Sequence, residues 1–228
     1  MNTLYTAIGK FVRQNNNGQY CPVILVKDQE HLVDIQEMIL WSGLSWRFLS
    51  MPQIKSVYEQ KSREINLPTN RSFEQCLNRM LQRGLIASGT GDEGADALYD
   101  LLNGLYLIPV CSSFFIKVVS FLKLTFFDGM PLHVTRRVFQ TEPMTADEQR
   151  VIGLAKQALL STAEIIKCVD QKAYDLSTNQ KVLNILYDDE YTTCDNIGSL
   201  AKYFESRQPV ILAVANLYLH KQIILERI

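Results

Sequence analysis

Apolar residues recur along this chain in two ways, as short continuous runs and as longer stretches repeating every third or fourth position, and each predicts a different element. The run 20–26, YCPVILV, follows the turn-forming Asn15-Asn16-Asn17-Gly18 and predicts a strand. Across residues 31–46, Leu32, Ile35, Ile39, Leu40 and Leu44 keep helical spacing, with Asp28 upstream as a cap. A second helix is predicted from Ser50, with Pro52 in its first turn, to Glu64, carrying Ile54, Val57 and Tyr58 inward. A third covers residues 71–83 and stops at Gly84, and Leu85-Ile86-Ala87 reads as a short strand.

Further on, a loop over residues 89–94 leads to a helix at 95–103, an extended segment at 105–110 and a helix at 113–127 that Asp128-Gly129-Met130-Pro131 ends. The remainder reads as helices at about 145–169, 179–187, 196–205 and 208–225. Thr145 with Glu148 has the spacing of a capping box for the first of these. The fold class is therefore mainly α with a small β component. Thr141-Glu142-Pro143-Met144-Thr145 divides the chain into residues 1–140 and a helical part, 141–228. No internal repeat is visible.

Composition narrows the classes. The chain of 228 residues carries 23 Lys+Arg against 24 Asp+Glu, which excludes a uniformly basic coat, so a nucleic-acid surface has to be local. The apolar window 105–127 could span a bilayer in length, but Lys117 and Lys123 would each cost about 2.5–3.5 kcal/mol inside it, which argues against a membrane segment. The N-terminus lacks the features of a secretory signal. Five scattered cysteines, without a CxxC pair, point to reduced thiols and a cytoplasmic location rather than zinc or disulfides.

The chemistry concentrates in residues 71–86, RSFEQCLNRMLQRGLI. On a helix, Phe73, Cys76, Leu77, Met80 and Leu81 form an apolar stripe, and Arg71, Gln75, Asn78, Arg79 and Gln82 form the opposite face. Arg, Asn and Gln are the side chains that pair bidentately with guanine or adenine edges. Residues 50–90 hold six basic and three acidic residues, a local surplus of three positive charges.

This order of helices, with the exit Arg83-Gly84-Leu85-Ile86, resembles the winged helix-turn-helix bacterial transcription regulators of the broad MarR-like kind. The resemblance implies a winged-helix-like N-terminal domain whose third helix enters the major groove of double-stranded DNA, usually as a homodimer on a two-fold site. Under it, Arg71, Gln75, Asn78, Arg79 and Gln82 would read bases. Lys55, Lys61, Arg63, Thr69, Asn70, Ser72, Ser88 and Thr90 would contact phosphates. The C-terminal helices would serve dimerisation or a small-molecule or protein effector. Asp92 and Glu93, where a wing tip would lie, point the other way, toward a non-enzymatic adaptor that uses the same fold to bind protein.

Other motifs carry less. Gly89-Thr90-Gly91-Asp92-Glu93-Gly94 satisfies GxGxxG, but its two carboxylates oppose a pyrophosphate. Asp188-Asp189-Glu190 reads as a solvated turn. Trp41 and Trp46 read as core. No catalytic constellation, metal set or cofactor motif stands out. The apolar stretch 209–219 requires burial, within the domain or against another subunit.

Overall fold

Five of the helices among the described residues start where a Ser, Thr or Asp stands three residues before a Glu or Gln. In the computed structural model, which describes residues 1–16, 19–65, 71–110 and 143–227, reciprocal caps join Asp34 with Glu37, Ser72 with Gln75, Thr145 with Glu148 and Ser161 with Glu164. At Ser50 the Gln53 side chain accepts from the cap backbone N–H at 2.8 Å. Such caps satisfy amides that the first turn leaves unpaired, at about 1 kcal/mol each.

The chain opens with four strands: β1 (Asn2–Ala7), β2 (Lys10–Asn16), β3 (Gln19–Val26) and β4 (Gln29–Leu32). Then follow α1 (Ile35–Leu44), β5 (Leu49–Ser50), α2 (Met51–Glu64), α3 (Phe73–Gln82), β6 (Ile86–Gly91), α4 (Gly94–Leu102) and β7 (Tyr106–Pro109). The last part comprises α5 (Ala146–Gln157), α6 (Thr162–Asp170), α7 (Asn179–Tyr187), α8 (Ile197–Ala201), α9 (Arg207–Leu219) and β8 (Ile223–Glu226). Helix outweighs strand, as the periodicity predicts.

Several boundaries differ from the sequence reading. Asp28 is no cap: Lys27 and Asp28 form a two-residue hairpin turn at φ +54° and +57°, and the cap of α1 is Asp34. The predicted helix 145–169 is two helices, because Ser161 caps a new one. The predicted helix 208–225 ends at Leu219 and becomes β8 after Lys221, at φ +60°. The helix expected at 113–127 and its break at 128–131 lie outside the described residues. Among the described residues, no helix is long and apolar enough to cross a membrane.

Sheet order makes sense of these differences. β1 is the central strand of an antiparallel sheet ordered β5-β1-β6, so strand 2–7 pairs with strand 86–91 in the register Asn2↔Gly91 to Ala7↔Ile86. β2, β3 and β4 form a separate meander with β4 at its edge. β7 pairs antiparallel with β8, and Tyr106 also bridges Ser161.

The order of elements thus occurs twice. A strand that becomes central comes first, then a helix, a short edge segment ending in a Ser, a helix starting at the next residue, a later helix and a closing strand. In the first unit these are β1, α1, β5, α2, α3 and β6, with β2, β3 and β4 inserted between β1 and α1. In the second they are β7, α5, the segment at 160–161, α6, α9 and β8, with α7 and α8 inserted before α9. The central strand of the second unit lies before residue 141, whereas its partner β8 is at the C-terminal end. Side-chain periodicity does not carry this likeness; the backbone pairing does.

One apolar core runs through both units. Trp41 donates its indole N–H to the Ile8 carbonyl at 3.0 Å. The buried Tyr218 hydroxyl of α9 accepts from Thr6 Oγ1 and from the Trp46 amide, both at 3.0 Å, and donates to the Ala7 carbonyl at 3.2 Å. The apolar helix α9 is buried on one side by the chain itself, with Val210, Ile211, Val214 and Leu217 inward and Leu212 and Leu219 exposed. Lys167, also buried, is satisfied by the Leu186 carbonyl and Thr192 Oγ1, each at 2.8 Å, and by the Asp189 carboxylate. That lysine holds Asp189 well below the usual carboxylate range, while Asp188, Asp189 and Glu190 all stay exposed in the turn.

Burial also sets the thiols. It pushes Cys76 up to about 11 and Cys168 up to about 12, while Cys194 is exposed. Alkylation by iodoacetamide at pH 8, followed by peptide mass spectrometry, should label Cys194 at least about a hundredfold faster than either buried thiol. Equal rates would contradict this packing.

Candidate functional site

α3 has the two faces its sequence predicts. Phe73, Cys76, Leu77 and Met80 are buried, which is worth about 1.5–3 kcal/mol for each large side chain, and Gly84 leaves the helix at φ +70°. Gln75, Asn78, Arg79 and Gln82 are exposed on the other side.

The arginines, however, are engaged. Glu37 of α1, 1% exposed, lies among three of them. Its Oε1 is 2.7 Å from Arg79 Nε and 3.5 Å from Arg71 Nη1, and its Oε2 is 3.0 Å from Arg83 Nη1. Arg71 also pairs with the Asp34 carboxylate. The neighbouring Gln36 donates to the Tyr58 hydroxyl at 3.1 Å and to the Arg71 carbonyl at 3.3 Å, joining α1, α2 and the start of α3. Gln75 and Ser72 are spent on each other in the cap. Asn78 and Gln82 remain as exposed amides, and Arg79, although bound to Glu37, is 55% exposed.

The residues assigned to phosphates are dispersed. Lys55 pairs with Glu74 at 3.4 Å and Arg63 with Glu59 at 3.9 Å. Lys61 turns toward α1 and donates to Ser42 Oγ at 3.2 Å. Thr69 and Asn70 lie outside the described residues. Ser88 and Thr90 are exposed, but on a strand rather than a hairpin tip, because β6 pairs with β1 and leads directly into α4. The Thr90 amide donates to Asp100 Oδ2 at 2.8 Å, beside a hollow lined by Asp92, Asp96, Asp100 and Asp195. Phosphate would be repelled there.

The surplus of three positive charges counted over residues 50–90 falls to one when Asp34 and Glu37 are included. Those carboxylates precede the window in sequence but stand beside α3 in space. The basic stripe is therefore interrupted along its length.

A second feature lies next to the arginines. In β4, Val33 N donates to the Pro22 carbonyl at 3.2 Å, and alternation then turns the backbone groups of Leu32 and Glu30 away from β3. Arg83 Nη2 donates to that outward Leu32 carbonyl at 2.6 Å. Leu32 and Ile35 are 59% and 58% exposed, two large apolar side chains at the strand end nearest α1. Burial, and then the Arg83 guanidinium, lower the pKa of His31. The hairpin turn Lys27-Asp28 between apolar and polar runs was the sequence signal for this edge. Comparison with family models, with curated proteins and with solved structures yields no match to this chain.

Proposed function

We propose that this chain is a non-enzymatic protein-recognition adaptor whose first unit, a winged-helix-like arrangement with its returning strand supplied by β1, docks a partner segment on the exposed Leu32 and Ile35 side chains beside α3. The observation that carries the reading is the capture of Arg71, Arg79 and Arg83 by Glu37, which takes from α3 the free positive charge that major-groove entry requires. The exposed apolar pair Leu32 and Ile35, with the half-exposed Arg79 on α3 nearby, suits a partner segment that combines apolar and acidic side chains.

Parallel selections from random peptides and from random duplex DNA test it, the latter at two salt concentrations. The expected result is enrichment of apolar–acidic peptides and no DNA motif. Leu32→Asp, at an exposed position, should weaken the selected peptide at least about tenfold, or roughly 1.4 kcal/mol. A DNA motif whose recognition depends on Asn78, Arg79 and Gln82 would overturn the proposal in favour of a sequence-specific regulator.

A further inference from the structure

Both tryptophans of the chain line one cavity of about 380 Å³ between the two units. Its walls come from Ala7, Phe11, Met38, Trp41, Trp46, Tyr218 and Ile224, an apolar and largely aromatic surface, with Ser42 and Ser45 along one side, their hydroxyls donating to the Ile39 and Trp41 carbonyls. The volume lies in the range of small-molecule sites, about 300–1,000 Å³, as does the combination of an aromatic lining with few polar groups.

The backbone at this place is unusual. Trp46 has φ +62°, a conformation that costs a bulky residue of order 1 kcal/mol, and its amide is held there by the Tyr218 hydroxyl from the other unit. Trp46 also packs on the Tyr218 ring at 5.2 Å between centroids. The indole is thus kept against the cavity by a constraint that the local sequence alone would not select.

Charge is distributed unevenly around it. Lys61 Nζ is 3.2 Å from Ser42 Oγ, a lining hydroxyl, and neither Lys61 nor the nearby Arg47 forms an ion pair among the described residues. Burial and then the proximity of Arg47 lower the Lys61 pKa, as expected for cations crowded together, against a weaker opposing effect of Glu64. Lys10 also lines the cavity and has Glu226 in its vicinity, so its charge is closer to balanced.

We infer that this cavity binds a small amphipathic monocarboxylate, its apolar body on Trp41, Trp46 and Tyr218 and its carboxylate held by Lys61 and Arg47 where Lys61 reaches the lining at Ser42. An anion there would relieve the repulsion between two cations, while the aromatic walls would take an alkyl or aryl body without further polar demands.

Titration of the intact protein with decanoate and with 1-decanol, followed by tryptophan fluorescence, tests this directly because both indoles report from the walls. A saturable change with decanoate is expected, at an affinity about tenfold or more above that of decanol. Lys61→Met should bring decanoate down to the decanol level and leave decanol unchanged. Arg47→Gln, at an exposed position, should act in the same direction, so the inference remains testable should the Lys61 variant fail to fold. No saturable response to decanoate overturns the site. Equal affinity for acid and alcohol, or acid binding insensitive to both substitutions, overturns the carboxylate assignment.

Discussion

Glu37→Gln should lower the unfolding free energy by about 2–4 kcal/mol, read as the shift of a urea midpoint near neutral pH. Removing one side of a buried ion pair leaves the other uncompensated, which costs about 3–5 kcal/mol where both partners are dry. Here Arg71 keeps Asp34, and Arg79 and Arg83 can relax toward water, so the expected loss lies about 1 kcal/mol below that range. The reverse truncation is the control. Arg79→Ala removes a half-exposed partner while leaving Glu37 with Arg71 and Arg83, and should cost no more than about 1 kcal/mol. Equal effects for the two would mean that Glu37 is not the centre of the cluster. Glu37→Gln also frees positive charge on α3, so its non-specific DNA retention at low salt should exceed that of the unaltered protein.

The same cluster marks how far the sequence could be read. The Thr145–Glu148 box, the Pro52 helix start and the Gly84 exit are local, set by residues three or four apart, and they are present in the structure. The apolar stripe of α3 is equally local. A charge count over residues 50–90 was misleading because the compensating carboxylates sit at 34 and 37, and only the packing of α1 on α3 brings them in. The long-range strand pairings were invisible for a related reason. β1 joins β6 across some eighty to ninety residues, and β7 joins β8 across more than a hundred, with no periodic signal linking the partners. Residues 2–16 consequently carry no signal of the strands they pair with. The division of the helix expected over 145–169 was legible in principle, since Ser161 and Glu164 have the spacing of a cap, but the apolar stripe continues through the break.

Substituting Gly89 with alanine should cost at least about 3 kcal/mol or prevent folding. A Cβ at residue 89 would lie 2.1 Å from the Leu101 amide nitrogen and 2.5 Å from the Ala97 carbonyl oxygen, both backbone atoms of α4. No rotamer change can relieve such overlaps, so α4 would have to lift from β6 and expose Ala97, Leu101 and Leu102, all now buried. Gly91 stands in the same relation, 2.4 Å from the Ala97 nitrogen, and its alanine variant should behave alike. Gly94 differs. At the first position of α4 it has open space around it, so Gly94→Ala should be neutral or stabilising by about 0.4–1 kcal/mol. Thermal unfolding of the three variants therefore separates two explanations of the GxGxxG pattern. If its glycines exist to let a helix lie on a strand, Gly89 and Gly91 are sensitive and Gly94 is not, with no nucleotide in the solution. A phosphate-cradling loop would instead tolerate alanine at Gly89 and Gly91 in thermal unfolding without nucleotide and lose nucleotide-dependent stabilisation, an outcome incompatible with the distances between β6 and α4.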